Sequence, residues 1–381
     1  MSSRAQQLLT LGQSVWLDFI RRGSLVSGEF DRQVSEDGIV GVTSNPTIFQ
    51  QAIAKSTDYD AAIAEGIGKG LAGEALFEWL AIADIQTACD KLRPLYDATG
   101  GRDGRVSIEV SPRLASDSAA TLATAKRLHA AVARPNVMVK IPATRAGLPA
   151  ITGGIAAGIS INVTLIFSLA RYREVMDAWM AGLEQLVASG GKLGSVRSVA
   201  SFFVSRVDTK VDAAIEQRAA SMPAGSAARN ELEALRGHAA VANARLAYEA
   251  FEEVVNGPRF SVLRAEGAHV QRPLWASTST KNPAYRDVLY VEELIGPDTV
   301  NTMPPQTLVA FNDHGLVATR IRHDLPAAHA VFERLETLGV PVNALIDQLE
   351  GEGVVAFEKS YDELIAALDS RVREMSGGAT R

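Results

Sequence analysis

The chain of 381 residues carries 38 basic and 44 acidic side chains, a formal charge of −6 that disfavours nucleic acid or an anionic membrane as its main partner. With 47% hydrophobic residues, 31 glycines and 15 prolines it has material for a large globular core, and disordered, collagen-like and low-complexity chains are excluded. The single cysteine, Cys89, excludes a disulfide framework, the absence of a Cys or His cluster at ligand spacing excludes a zinc scaffold, and a reducing compartment is expected.

The first 22 residues lack the unbroken apolar run of a signal peptide, which points to a cytoplasmic protein. The first strand is expected at 14–19 (SVWLDF), with Asp18 near its end. A second, at 38–43 (GIVGVT), is followed by Ser44 and Asn45, and Asn45 before Pro46 also reads as a helix N-cap with proline at the first helical position. RVSIEV at 105–110 holds Glu109. Ser116 or Asp117 then caps a helix through Ala133, and NVMVKIP at 136–142 holds Lys140.

Residues 146–170 contain no charge and are long enough to span a bilayer, but Pro149, Gly153, Gly154 and Gly158 cut them into helix, loop and a strand at 158–166 with Asn162 and Thr164. No membrane span is expected. Ser168 caps a helix to about Ser189, and SVASFFV at 198–204 carries Ser201 and Phe203, with Arg206 just beyond. At 205–271 the spacing breaks into a helical elaboration, two helical patterns separated by MPAGS and closed by Asn256-Gly257-Pro258. Strands at 273–278 (PLWAST) and 299–304 (TVNTMP) follow. From about 305 to 375 the chain reads as helices with stops at Gly315, Gly339 and Gly351, packed over the preceding unit, and 376–381 as a frayed end.

Eight Val-, Ile- and Thr-rich segments alternating with helices predict an α/β fold, an eight-stranded parallel (β/α)8 TIM barrel with extra helices, formed by residues 1–381 as a single domain. Nothing in the pattern specifies an oligomeric state. In such a barrel the carboxyl ends of the strands carry the chemistry. Lys140 stands out there, because desolvation at the end of an apolar strand disfavours its ammonium and favours a nucleophilic amine able to form a Schiff base. The alternative is a lysine that ion-pairs Glu109 or reaches to the barrel mouth. Asp18 and Glu109 could move the protons of that chemistry, directly and through water, or could serve as a cap and an ion-pair partner. Asn45, Asn162, Ser201 and Ser277 suit a polyhydroxylated substrate, although each could equally cap a turn. The six histidines avoid the strand ends and show no HExxH spacing, there is no P-loop and no GxGxxG after a strand, so neither metal nor organic cofactor is expected.

The segments GVTSNPTIF, VSIEVSPRLASD, NVMVKIPAT, INVTLIFS, SFFVSRVD and PLWASTSTKN, in this order between about Gly12 and Met303, resemble transaldolase in its longer bacterial form. The resemblance implies cofactor-free transfer of a dihydroxyacetone unit from sedoheptulose 7-phosphate to glyceraldehyde 3-phosphate, in the pentose phosphate pathway. By the same resemblance Lys140 matches the Schiff-base lysine, Asp18 the acid/base of C–C cleavage, and Glu109 with Thr164 the pair that holds a relay water. Asn45 and Asn162 match residues at substrate hydroxyls and the imine, Ser201 one at the dihydroxyacetone end, and Arg206 and Ser277 phosphate contacts. The basic residue expected close after Ser277 is Lys281, displaced along STSTK. Related aldolases that release dihydroxyacetone resemble this chain but tend to carry glutamine at position 109 and tyrosine at 203, where this chain has Glu109 and Phe203. That aldolase reaction, and a catalytically silent barrel used as a scaffold, are the rival readings.

Overall fold

In a computed structural model describing residues 2–54 and 56–377, eight parallel strands close into a barrel in chain order. They are β1 (Gln13–Leu17), β2 (Gly41–Val42), β3 (Arg105–Glu109), β4 (Val137–Pro142), β5 (Ile161–Ile166), β6 (Ser198–Phe203), β7 (Gln271–Ala276) and β8 (Thr299–Met303). Closure comes from β1 against β8, registered Gln13 to Thr299 through Leu17 to Met303. All eight expected strands are present, and β2 is cut to two residues. It lies opposite Trp16, and a Cβ on Gly41 would come within 2.6 Å of the Trp16 ring, so only glycine lets the indole fill the barrel there.

Period-two alternation divides each strand between two environments. Val15, Leu17, Val106, Ile108, Val139, Ile141 and Val163 are buried under the surrounding helices. The other set faces the barrel interior, as the hydrogen bonds from Asn162 Nδ2 to Ser107 Oγ (3.1 Å) and from Ser201 Oγ to Asn162 Oδ1 (2.7 Å) require. Read from amino to carboxyl end, β1 presents Ser14, Trp16 and then Asp18 to the interior, and β3 presents Arg105, Ser107 and Glu109. Polar groups therefore collect at both mouths of the barrel around a largely apolar middle.

Helix starts follow their caps: Asp117 Oδ1 accepts from Ala120 N (2.9 Å) ahead of Ser118–Val132, and Ser168 Oγ from Arg171 N (3.3 Å) ahead of Leu169–Ala188. Residues 146–170 resolve into the helix Gly147–Ala156, β5 and the start of Leu169–Ala188, and no helix among the described residues is long and apolar enough to cross a membrane. The elaboration after β6 contains four helices, Ser205–Ala220, Ala227–Glu233, Ala239–Val255 and Pro258–Ala265, rather than two. Asn256-Gly257-Pro258 ends the third and begins the fourth, because proline is tolerated at a helix start.

The expected stop at Gly351 is absent. One helix of 36 residues, Val342–Gly377, runs through Gly351 and Gly353 and lies across the carboxyl end of the barrel. Its buried residues Phe357, Leu364 and Leu368 belong to the same apolar core as the strands. Glu350 pairs with Arg171 after β5, Glu352 with Lys210 after β6, and Asp362 with Arg113 after β3. A Cβ on Gly353 would sit 3.0 Å from Leu165 Cδ2 and 3.4 Å from the Phe167 ring, so the glycine allows a close approach to the end of β5, and burial outweighs glycine's low helix propensity. Of the frayed end expected at 376–381, the last four residues lie outside the described residues.

Candidate active site

The carboxyl-end mouth holds a cavity of about 420 Å³, lined among others by Asp18, Thr43, Asn45, Lys140, Thr164, Ser201, Phe203, Arg206, Ser277 and Lys281. Nine of the eleven expected site residues therefore meet on one cavity, brought there from β1, β2, β4, β5, β6 and β7 or the segments that follow them. The other two stand against its walls. Glu109 is paired with Lys140, and Asn162, across the register from Lys140 on β5, is fully enclosed and held by Ser107 and Ser201.

Lys140 is 4% exposed. Its Nζ donates to Glu109 Oε2 (3.2 Å) and to the Ser44 carbonyl (3.3 Å), and it lies 6.0 Å from the centre of the Phe357 ring. Glu109 is the next-strand neighbour of Lys140, which is why the pair forms. Burial raises the Glu109 pKa above the ordinary carboxylate value; Lys140 opposes the shift and Asp18 adds to it. Glu109 also borders a second cavity of about 520 Å³, shared with Asn45 and reaching Tyr361 of the C-terminal helix.

Asp18 accepts a hydrogen bond from Thr43 Oγ1 (2.7 Å), and that hydroxyl lies 2.7 Å from Thr302 Oγ1. Its pKa too is raised by burial, against the attraction of Lys140, the Thr43 hydrogen bond and the charge of Lys281. A carboxylate above its ordinary range can both take and return a proton. The Thr164 hydroxyl is buried and has no hydrogen-bond partner among the described residues. Asn45 does cap the helix Pro46–Ala54, its Oδ1 accepting from Ile48 N (3.0 Å), while still lining the cavity.

Arg206 follows β6 directly and stacks over Phe203, with 5.8 Å from its guanidinium carbon to the ring centre. Its guanidinium forms no hydrogen bond or ion pair within the described residues; burial lowers its pKa and Glu352 partly restores it. Ser277, just after β7, has a left-handed backbone (φ 56°), and its Oγ lies 2.8 Å from Ser205 Oγ at the start of the Arg206 helix. Lys281 is exposed, and its Nζ donates to Ser279 Oγ at 2.7 Å. Arg206, Ser277 and Lys281 thus add cationic and hydrogen-bonding groups to the cavity that Lys140 and Asp18 also line.

Sequence reasoning missed Phe357. It lines the cavity from the C-terminal helix, 6.5 Å from the Phe203 ring, and nothing in the spacing of a helix beyond the last strand signals a contribution to the mouth. It also missed the left-handed Leu165 (φ 59°), where β5 carries one residue more than β6 between Val163 and Ile166. Such a bulge re-aims side chains beside a site.

The family profile described as Transaldolase/Fructose-6-phosphate aldolase matches residues 15–368. Similar proteins include Transaldolase 1 of Streptomyces avermitilis, 50% identical over 97% of this chain and 95% of its own length. Transaldolase of Thermobifida fusca is 50% identical over 96% of this chain and 97% of its own length, and that of a Parafrankia strain is 50% identical over the full length of both.

Proposed function

The chain belongs to the transaldolase/fructose-6-phosphate aldolase family, and from that membership and the cavity we propose that it is a transaldolase that carries a three-carbon dihydroxyacetone unit on Lys140 between sugar phosphates. The observation that carries the reading is that one cavity joins an enclosed lysine, with Glu109 and Asp18, to an arginine that forms no ion pair among the described residues, with Ser277 and Lys281.

Lys140 as free amine adds to the C2 carbonyl of a donor such as sedoheptulose 7-phosphate, and loss of water gives an iminium. Glu109, which already bonds the amine, and the unpartnered Thr164 hydroxyl suit a water that shuttles protons through this dehydration. The iminium draws the electron pair of the C3–C4 bond while Asp18 takes the C4 hydroxyl proton. Erythrose 4-phosphate leaves and a three-carbon enamine remains on Lys140. Glyceraldehyde 3-phosphate enters, its aldehyde carbon bonds to the enamine, Asp18 returns the proton to the new alkoxide, and hydrolysis of the iminium releases fructose 6-phosphate. Arg206 offers a planar fork for the phosphates, with Ser277 and Lys281 as its partners.

The enamine must wait for an aldehyde without being protonated. Phe203 and Phe357 wall the cavity with rings that offer no acidic proton, whereas a tyrosine at 203 would bring a hydroxyl. This favours transfer over release of free dihydroxyacetone. With this function go a cytoplasmic location and a single folded unit of barrel and C-terminal helices. The test is a coupled assay: fructose 6-phosphate with erythrose 4-phosphate yields sedoheptulose 7-phosphate, and fructose 6-phosphate alone yields only a stoichiometric burst of glyceraldehyde 3-phosphate. Sustained dihydroxyacetone release without an acceptor would make the protein an aldolase.

A further inference from the structure

The opposite, amino-end mouth of the barrel opens into a second polar cavity of about 920 Å³, more than twice the volume of the one at Lys140. Its wall carries Arg102, Arg105, Arg197, Arg264 and Arg272 with His269, against one lining carboxylate, Asp298. Its inner end reaches Trp16, Met138 and Val199, so the middle of the barrel separates it from the catalytic mouth.

The charges do not balance locally. Arg272 is neutralised by Asp103 (3.3 Å) and Arg102 by Asp298 (3.2 Å). Arg105, Arg197 and Arg264 form no ion pair within the described residues. Arg197 donates from Nη1 to the Gly194 (2.5 Å) and Val196 (3.1 Å) carbonyls and from Nη2 to that of Gly100 (3.0 Å), and Arg264 donates to the Val255 carbonyl (2.8 Å). Those contacts are structural and account for the donors they use. Arg105 is 1% exposed: its Nε bonds the Gly101 carbonyl (2.9 Å), its Nη1 bonds Ser160 Oγ (3.1 Å), and its guanidinium stacks over the Tyr96 ring (4.9 Å to the centre), so that Nη2, without a hydrogen-bond partner among the described residues, is enclosed rather than open to the cavity. A buried guanidinium normally has its donors satisfied. Burial first, and then Arg197 and Arg272, lower the Arg105 pKa; burial, Arg197 and Arg105 lower that of His269. Cationic charge is thus concentrated in a concave site of a chain whose net charge is −6.

We propose that this amino-end cavity binds an anion carrying several phosphoryl groups in a row, an oligophosphate chain, with Arg197 and Arg264 as its donors and Arg105 as an enclosed, unneutralised charge behind them. A single phosphate would leave most of the volume unfilled, and guanidinium groups match phosphoryl oxygens bidentately. A duplex or a lipid surface would not enter a concavity in the barrel end.

The test is calorimetric titration of the full chain, without magnesium, using tripolyphosphate in one arm and ATP in the other. Two variants separate the sites: Arg206→Ala removes the cation of the catalytic cavity, and Arg264→Glu reverses an exposed charge at the amino end, its fold checked by its melting curve. The proposal expects one tripolyphosphate per chain, binding retained in Arg206→Ala, and affinity reduced at least about tenfold in Arg264→Glu while sugar-phosphate transfer continues. Equal affinity for ATP shows that the phosphate chain alone is read, and tighter ATP binding that a nucleoside is read with it; both support the site. No saturable binding at millimolar concentration, or binding lost in Arg206→Ala and unchanged in Arg264→Glu, overturns it.

Discussion

Asp18 and Arg206 carry separable work in this account, and each predicts a distinct signature. The Asp18 pKa lies above 3.8 in the folded state, so folded chains bind more protons than unfolded ones from about that pH up to the raised value. The stability contributed by its acid form is therefore complete below pH 3.8 and lost as pH rises through the raised pKa. At pH 7, well above 3.8, that contribution is reduced, a stability cost retained for catalysis. Asp18→Asn should lower kcat by roughly 10²–10⁴-fold and yet melt higher than the parent at pH 7, by a margin that shrinks as pH falls toward 3.8. A variant that is inactive and also melts lower at pH 7 would show Asp18 to be structural. For Arg206→Ala the loss in kcat/KM should be about 2 kcal/mol or more with phosphorylated substrates and much smaller with unphosphorylated analogues; equal losses would put the phosphate elsewhere. Lys140, Asp18 and Glu109 were legible because a charged residue closing an apolar strand has few explanations. The unpartnered hydroxyl of Thr164 was not, since hydrogen bonding depends on neighbours from other strands.

At the level of elements, the eight strands could be read because buried parallel strands are dense in Val and Ile, and their ends because polar residues interrupt them. The C-terminal helix could not. Gly351 and Gly353 look alike in sequence, yet a Cβ at 351 would meet nothing within 4 Å whereas one at 353 would meet Leu165 and Phe167. Gly351→Ala should therefore stabilise the protein by about 0.5–1 kcal/mol through helix propensity alone. Gly353→Leu should destabilise it by about 1–3 kcal/mol through overpacking and, by lifting Phe357 from the mouth, reduce transfer as well. Denaturant melts of the two variants decide the matter: equal shifts would mean that the helix does not press on the end of β5.

Taken whole, the molecule distributes its chemistry along the barrel axis, with the lysine at one mouth, an apolar middle, and the arginine cluster at the other. The carboxyl-end cavity was visible in sequence because strand ends converge there; the amino-end cluster was hidden because Arg105, Arg197 and Arg272 stand at strand starts in separate parts of the chain. Barrel and C-terminal helix share one continuous apolar core, in which Leu364 and Leu368 pack with the strand residues. A single cooperative unfolding transition should follow, with far-ultraviolet circular dichroism and tryptophan fluorescence coincident; an earlier step in circular dichroism alone would mean that the helices form a separate unit.

The central claim is that Lys140 carries the transferred carbons, and the most direct measurement is borohydride trapping. Reduction in the presence of fructose 6-phosphate should leave a dihydroxyacetone-derived adduct on the peptide containing Lys140, found by mass spectrometry, and Lys140→Met should form no adduct and lose transfer activity. An adduct confined to another lysine, or full activity in Lys140→Met, would contradict the account.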